Sequence, residues 1–337
     1  MKVSRFNIFM LAILFPMLMI SCSDDDDDLE GNWVEGSDFD GVARGSAAGF
    51  VIDGYGYLGT GFDGDDRWND FWRYDPDIAN WTEMAEFPGV ERNFAVGFSV
   101  NGKGYIGLGY DGDDPLSDFY EYDPSTNTWT QIADFPGSAR YDATAFAVDG
   151  KGYVGTGYDD DYYLKDFYSY DPSTGEWEQI LSIPGSKRRG ANSFVIDGKA
   201  YVISGLDNGS YLEDVYCYDP STESWTEMRE INDDDDDYSY DDDYVGIARR
   251  NAATFVVNGL GYLSCGSTGS ILETTWEYDP VEDLWEERTE FEGVSRTEAI
   301  GFSFGGDFGY VTTGRNSSYY FDDLYIFDPT AEYDEDD

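Results

Sequence analysis

The residues of this 337-residue chain best suited to chemistry are six arginines at near-regular intervals: Arg44, Arg92, Arg140, Arg188, Arg249 and Arg296. A guanidinium is permanently charged and offers a planar fork of donors to a carboxylate, so such a set could line a site for an acidic ligand. The sequence also supplies internal partners for them. Four residues ahead of a recurring Tyr/Phe-Asp-Pro tripeptide stands an acid in five of six cases, Asp70, Asp118, Asp166, Asp214 and Asp323, with Thr274 in the remaining one. Arg–Asp pairing that ties strands together is the use this pattern favours, and Arg249 is then expected to find its counter-charge in a nearby acidic insert. The chain has no histidine, which excludes Ser-His-Asp triads, histidine general bases, His-containing zinc sites and haem on a proximal His.

Seventy acidic residues against 20 basic give a formal charge of -50. Affinity for nucleic acid comes mostly from cationic side chains neutralising phosphates, so a nucleic-acid partner is excluded. A hydrophobic fraction of 41% still suffices for a packed core. The cysteines are Cys22, Cys217 and Cys265, too few for a disulfide framework, and the last two are read as reduced and isolated.

The elements that must position the arginines follow from the tripeptide. It recurs at Tyr74, Tyr122, Tyr170, Tyr218, Tyr278 and Phe327, with spacings of 48, 48, 48, 60 and 49 residues. A period near 50 punctuated by glycines and aromatics predicts an all-β propeller of four-stranded blades. Strand a runs from each arginine to a Phe six residues on, an Asp-Gly or Asn-Gly turn leads to a glycine-rich strand b, strand c ends at the Asp-Pro, and strand d opens on a Trp such as Trp81, Trp129, Trp177, Trp225 or Trp285. The ordered set of Arg, Asp/Asn-Gly, Gly-Tyr, Tyr-Asp-Pro and Trp resembles Kelch repeats over residues 33–329, with Gly-x-Gly or Ser-Gly in place of the Gly-Gly that closes strand b in many of them. The sixth unit has no Trp after Asp328, whereas Asn32-Trp33-Val34-Glu35 reads like Asn80-Trp81-Thr82-Glu83. The N-terminal strand is therefore expected to complete the last of six blades.

Antiparallel blades put the short a–b and c–d turns on one face and the variable b–c and d–a connections on the other, where binding is expected. The 12-residue excess within Asn232 to Tyr244 falls on this variable face. In Kelch domains that bind acidic peptides, arginines at this motif position line the site, which implies ligand contacts for the six named above. The loop aromatics Trp68, Tyr110, Tyr158, Tyr162, Tyr163, Tyr211, Tyr319 and Tyr320 are not required by the repeat and could stack on sugars or hold cations. Asp-rich loops such as Asp63-Gly64-Asp65-Asp66 suit calcium chemically but match neither the EF-hand nor the RTX pattern, so solvated acidic loops and no cofactor are expected.

The N-terminus carries a separate signal. Lys2 and Arg5 precede an apolar stretch from Ile8 to Ile20, too short to span a bilayer, which ends in Leu18-Met19-Ile20-Ser21-Cys22. It resembles the lipobox of bacterial lipoproteins, with Met19 where Leu is usual, and implies lipidation of Cys22. The following Asp24–Asp28 run resembles a surface-export signal of some Gram-negative lipoproteins. Loss of residues 1–21 leaves 18 basic residues against 70 acidic, a net of -52, so membrane attachment would rest on the lipid.

The resulting expectation is a leader at 1–21, an acidic tether at 22–31, a propeller at 32–330 and an acidic tail at 331–337. The protein would be a monomeric lipoprotein of the cell envelope, in the outer membrane and facing outward. It would be a non-catalytic binder of an extracellular glycan, peptide or protein. Two other readings are a structural component of an envelope assembly and an enzyme. Galactose oxidase shares Kelch blades but needs histidines for its copper; six-bladed Kelch proteins that epimerise or mutarotate sialic acid are the better enzymatic analogue.

Overall fold

The computed structural model describes residues 29–232, 244 and 246–334; Cys22, the Asp24–Asp28 run and most of the Asn232–Tyr244 insert lie outside the described residues. The described residues form six four-stranded antiparallel sheets plus a two-stranded ribbon, Leu206–Asp207 with Ser210–Tyr211, in the fourth b–c loop. In the first blade strands a to d are Ala48–Ile52, Tyr55–Gly59, Phe71–Asp75 and Asn80–Glu83. Strands a of successive blades adjoin one another, and that of the sixth adjoins that of the first, so the blades close into a ring around a central channel.

Side-chain size explains the fit between blades. Strand a alternates buried and half-buried positions, as expected where one side faces a neighbour and the other the channel. The Phe of each strand a lies against the first glycine of the next strand b: a Cβ on Gly104 would lie 2.1 Å from the Phe50 ring, and one on Gly152 would lie 2.1 Å from the Phe98 ring. The fourth blade accommodates Ala200 at this place, against Phe146. Behind these contacts lies a spine of aromatic pairs, such as Tyr74–Trp81 with ring centroids 5.0 Å apart and Tyr122–Trp129 at 4.9 Å.

Ring closure uses the predicted strand. Asn32–Glu35 pairs antiparallel with Leu324–Asp328, and Trp33 faces Phe327 just as Trp81 faces Tyr74 and Trp129 faces Tyr122. Trp33 is fully buried, and its Nε1 donates to Thr289 O in the fifth blade at 3.2 Å.

One expectation needs correction. Strand a does not begin at the arginine but four residues later, at Ala48, Val96, Thr144, Asn192, Ala253 and Ile300. The residue two beyond each arginine has a positive φ, between 51° and 62°, which interrupts the extended chain. The departure from Gly-Gly after strand b is also resolved. In Thr60-Gly61, Leu108-Gly109, Thr156-Gly157, Ser204-Gly205, Cys265-Gly266 and Thr313-Gly314 the first residue sits in the left-handed region that a side chain can adopt, at 54° to 64°. The second has φ of 96° to 108°, and a Cβ on Gly109 would meet Asn93 O at 2.8 Å, so only that place demands glycine.

Candidate ligand site at the channel mouth

The structure places the six motif arginines inside the blades, not on the variable face. Each side chain is fully buried. Arg92 is typical: its Nε donates to Val90 O at 2.9 Å, Nη1 to Leu108 O at 3.0 Å, and the two Nη groups grip Asp118 at 2.5 and 2.8 Å. The same set recurs for Arg44 with Asp70, Arg140 with Asp166, Arg188 with Asp214 and Arg296 with Asp323. Arg249 differs. Carbonyl oxygens of Gly246, Ile247, Cys265 and Thr274, with Thr274 Oγ1, hold it at 2.6 to 3.1 Å, and no carboxylate of a described residue bonds it. Burial lowers its pKa to about 10, so it stays charged at neutral pH. The insert acids expected to supply its counter-charge lie outside the described residues; among the described residues, peptide carbonyls and the Thr274 hydroxyl hold it.

What does face the channel mouth is the pair of residues that follows each arginine. The second of the pair, at positive φ, is Ser46, Phe94, Asp142, Gly190, Asn251 or Glu298. These six are linked by a closed circle of backbone bonds. Each N–H donates to the carbonyl of the equivalent residue in the preceding blade: Phe94 to Ser46 at 2.9 Å, Asp142 to Phe94 at 3.2 Å, Gly190 to Asp142 at 2.9 Å, Asn251 to Gly190 at 3.0 Å, Glu298 to Asn251 at 2.9 Å and Ser46 to Glu298 at 3.0 Å. Below the circle the channel opens into a cavity of about 200 Å³ walled by small residues of all six strands a, including Ala48, Gly97 and Ala145.

The circle carries two buried acids. Glu298 accepts from Arg315 Nε at 2.8 Å and Nη2 at 2.6 Å, and also from Ser46 Oγ. Asp142 has no such full match. Its Oδ2 lies 3.7 Å from Arg189 Nε, beyond hydrogen-bond range. Desolvation raises its pKa to about 6, with the charge of Glu298 adding to that rise, while Arg189, Arg250 and a hydrogen bond from Asn251 oppose it.

An arc of rings and guanidinium groups borders the mouth. Tyr320 meets Phe62 at 5.9 Å, and Arg67 lies over Phe62 at 4.9 Å and over Tyr110 at 5.3 Å. Tyr110 meets Tyr141 at 5.1 Å, Tyr141 meets Tyr158 at 5.7 Å, and Tyr158 meets Tyr163 at 5.0 Å. Arg189 completes the arc over Tyr158 at 5.2 Å and Tyr163 at 5.5 Å. Burial and the nearby Asp160 push the Tyr141 hydroxyl up to about 12. Such rings and cations together can hold a ring-shaped or charged ligand edge.

Of the loop aromatics read from sequence, the arc gathers Tyr110, Tyr158, Tyr163 and Tyr320. Trp68 turns to Asp63 Oδ2 at 3.1 Å and to Arg44, Tyr162 and Tyr319 stand exposed, and Tyr211 pairs with Leu206 in the small ribbon. The first acid of each Asp-rich loop caps its own turn: Asp63 Oδ1 accepts from the amides of Asp65 and Asp66, and Asp111 Oδ1 from those of Asp113 and Asp114. Among the described residues no three ligating side chains converge as a metal site would require. Missing from the sequence reading were Phe62, Arg67, Tyr141, Asp142, Arg189, Arg250, Asn251, Glu298 and Arg315. The signal for most of them was available in the six-fold alignment, as two columns that differ in nearly every copy while the neighbouring arginine never changes.

Comparisons with known proteins agree with this architecture. Residues 109–236 match the KLHDC2/KLHL20/DRC7 Kelch-repeats domain. No curated protein matches the chain. Among solved structures, the one titled "Structure of YjhT" superposes with a TM-score of 0.70 at 16% identity, covering 86% of this chain and 95% of that one. At that identity the likeness concerns the fold.

Proposed function

We propose that this protein is a Kelch-type propeller tethered by a lipid on Cys22 to the outer membrane, facing outward, and that it binds an extracellular glycan, peptide or protein at the channel mouth. One observation carries the binding reading. At most positions that build the blades the six units repeat, yet the circle around the mouth holds Ser, Phe, Asp, Gly, Asn and Glu on one shared backbone geometry. Gly190 demonstrates that glycine meets the backbone requirement; the five other residues accept left-handed strain of roughly 1 kcal/mol each. Residue types that folding does not select, gathered on a rigid frame, are what a ligand site requires. The lipid anchor rests on the Leu18–Cys22 segment and the outward address on Asp24–Asp28.

The test is glycan-array and whole-lysate capture by the mature domain, with and without calcium. Binding lost in a Tyr158→Ala/Tyr163→Ala variant of normal stability supports the mouth; retained binding moves the ligand elsewhere. Protease treatment of intact cells should degrade the domain, and full protection contradicts outward display. A second reading, acid–base chemistry of the kind sialic-acid epimerases and mutarotases perform, is favoured by Asp142, whose ionisation near pH 6 suits proton transfer. Accelerated anomer exchange by NMR, abolished in Asp142→Asn, would establish it; unaccelerated exchange leaves binding alone.

A further inference from the structure

We infer that the mouth holds a small carboxylate-bearing ligand between Arg189 and Arg250, and that Asp142 is the internal counter-charge which that carboxylate replaces. The inference rests on the mouth being the ligand site and adds the ligand's chemical class and its control.

The argument begins with which arginines are spent. The six motif arginines are saturated inside the blades, and Arg315 is closed on Glu298. Arg189 and Arg250 are not: the Nε of each is buried without a hydrogen-bond partner. Among the described residues the carboxylate set against both is Asp142, at 3.7 Å from Arg189 and close enough to Arg250 for electrostatic coupling. A planar guanidinium with an unused Nε edge matches a carboxylate in two parallel bonds. Two cations sharing one imperfectly placed anion form a site that gains by accepting a better-placed one.

Charge selects the ligand further. On a chain with a formal charge of -50, a monoanion is admitted with less repulsion than a dianionic phosphate.

Asp142 makes the site responsive to pH. The charged and titratable groups around it are Arg189 from the fourth blade, Arg250 from the fifth, Glu298 from the sixth, and the neighbouring Tyr141 that bonds Asp160; Asn251 adds a neutral hydrogen bond. Glu298 is matched by Arg315, so protonation of Asp142 leaves Arg189 and Arg250 without a counter-ion. With Asp142 titrating at about pH 6, a site that binds only when this carboxyl is neutral strengthens roughly 30-fold from about pH 7.5 to about pH 5.

The experiment titrates the mature chain with D-glucuronate, methyl glucoside and inorganic sulfate, a dianion at both of those pH values, by ligand-observed NMR and calorimetry. Expected are glucuronate binding at the lower pH, its weakening by at least tenfold at the higher, loss in Arg189→Gln/Arg250→Gln, and tight pH-independent binding in Asp142→Asn. No glucuronate binding at the lower pH, equal binding of methyl glucoside or sulfate, or a pH dependence that survives Asp142→Asn overturns the inference. Should the double arginine variant fail to fold, the Asp142→Asn titration decides. Methyl glucoside binding that is abolished in Tyr158→Ala/Tyr163→Ala would sink the carboxylate inference while leaving the mouth as the ligand site.

Discussion

Replacing Asp118 by Ala tests the claim that the motif arginines are structural. Arg92 is fully buried, while the Asp118 side chain keeps 23% of its exposure. The variant removes two charge-assisted bonds, at 2.5 and 2.8 Å, and leaves those to Val90 O and Leu108 O. Bonds to charged groups contribute about 1.5–3 kcal/mol each, and stripping one partner from a buried pair costs about 3–5 kcal/mol. Water reaching the vacated aspartate position softens the loss, so about 3 kcal/mol is expected, or roughly 5 °C in Tm for a single cooperative domain of about 300 residues. The fifth blade supplies the reciprocal variant: Thr274→Asp offers Arg249 the carboxylate its equivalents possess, and should raise stability by about 1 kcal/mol. Urea and thermal unfolding of the two variants against the parent measure both. A loss below about 1 kcal/mol for Asp118→Ala would refute the reasoning, because a fully buried guanidinium cannot surrender its anion so cheaply.

Three further outcomes follow from the packing and titration of named groups. Asp142 has a folded-state pKa raised to about 6 against roughly 3.9 unfolded, so the native state binds the extra proton and stability falls as pH rises between those values; Asp142→Asn should add roughly 2–3 kcal/mol at about pH 7 and almost nothing near pH 4, measured by denaturant unfolding at each pH. Trp33→Ala empties a fully buried site in the closing strand and should cost about 3–5 kcal/mol in the same assay, with early proteolysis near the termini. In Gly301→Ala the new Cβ would stand 2.3 Å from Thr254 O, whereas at Gly306 it would meet nothing; circular-dichroism melts should show the first variant badly destabilised and Gly306→Ala close to the parent.

The blades were legible in the sequence because each is specified by side chains with one job. The glycines beside a neighbour's Phe, the Trp facing the Tyr of the Asp-Pro motif and the Arg–Asp pair all repeat, and their spacing alone located Trp33 as the missing strand. The start of strand a was misplaced because a positive φ on Ser46, Phe94 or Asp142 has no reliable composition signature; asparagine or glycine would have announced it, as at Gly190 and Asn251. The mouth was harder. Its aromatics Tyr110, Tyr158, Tyr163 and Tyr320 stood out as surplus to the repeat, but Trp68, equally surplus, is spent on Asp63 and Arg44. Asp142 was hidden among 70 acids, since what distinguishes it is burial, which depends on three other blades.

The closing pair of strands also sets a schedule. Asn32–Glu35 is among the first parts of the propeller to be synthesised, and its partner Leu324–Asp328 is the last strand made. At about 5–20 residues per second the early strand waits roughly 15–60 s for its mate. Throughout that interval Trp33 has no Phe327 to cover it, and the growing array presents an open edge at each end. Folding that proceeds blade by blade therefore cannot finish blade by blade: the final event joins the oldest and newest parts of the chain. A truncation of only the last dozen residues would leave every earlier blade encoded and the ring permanently open.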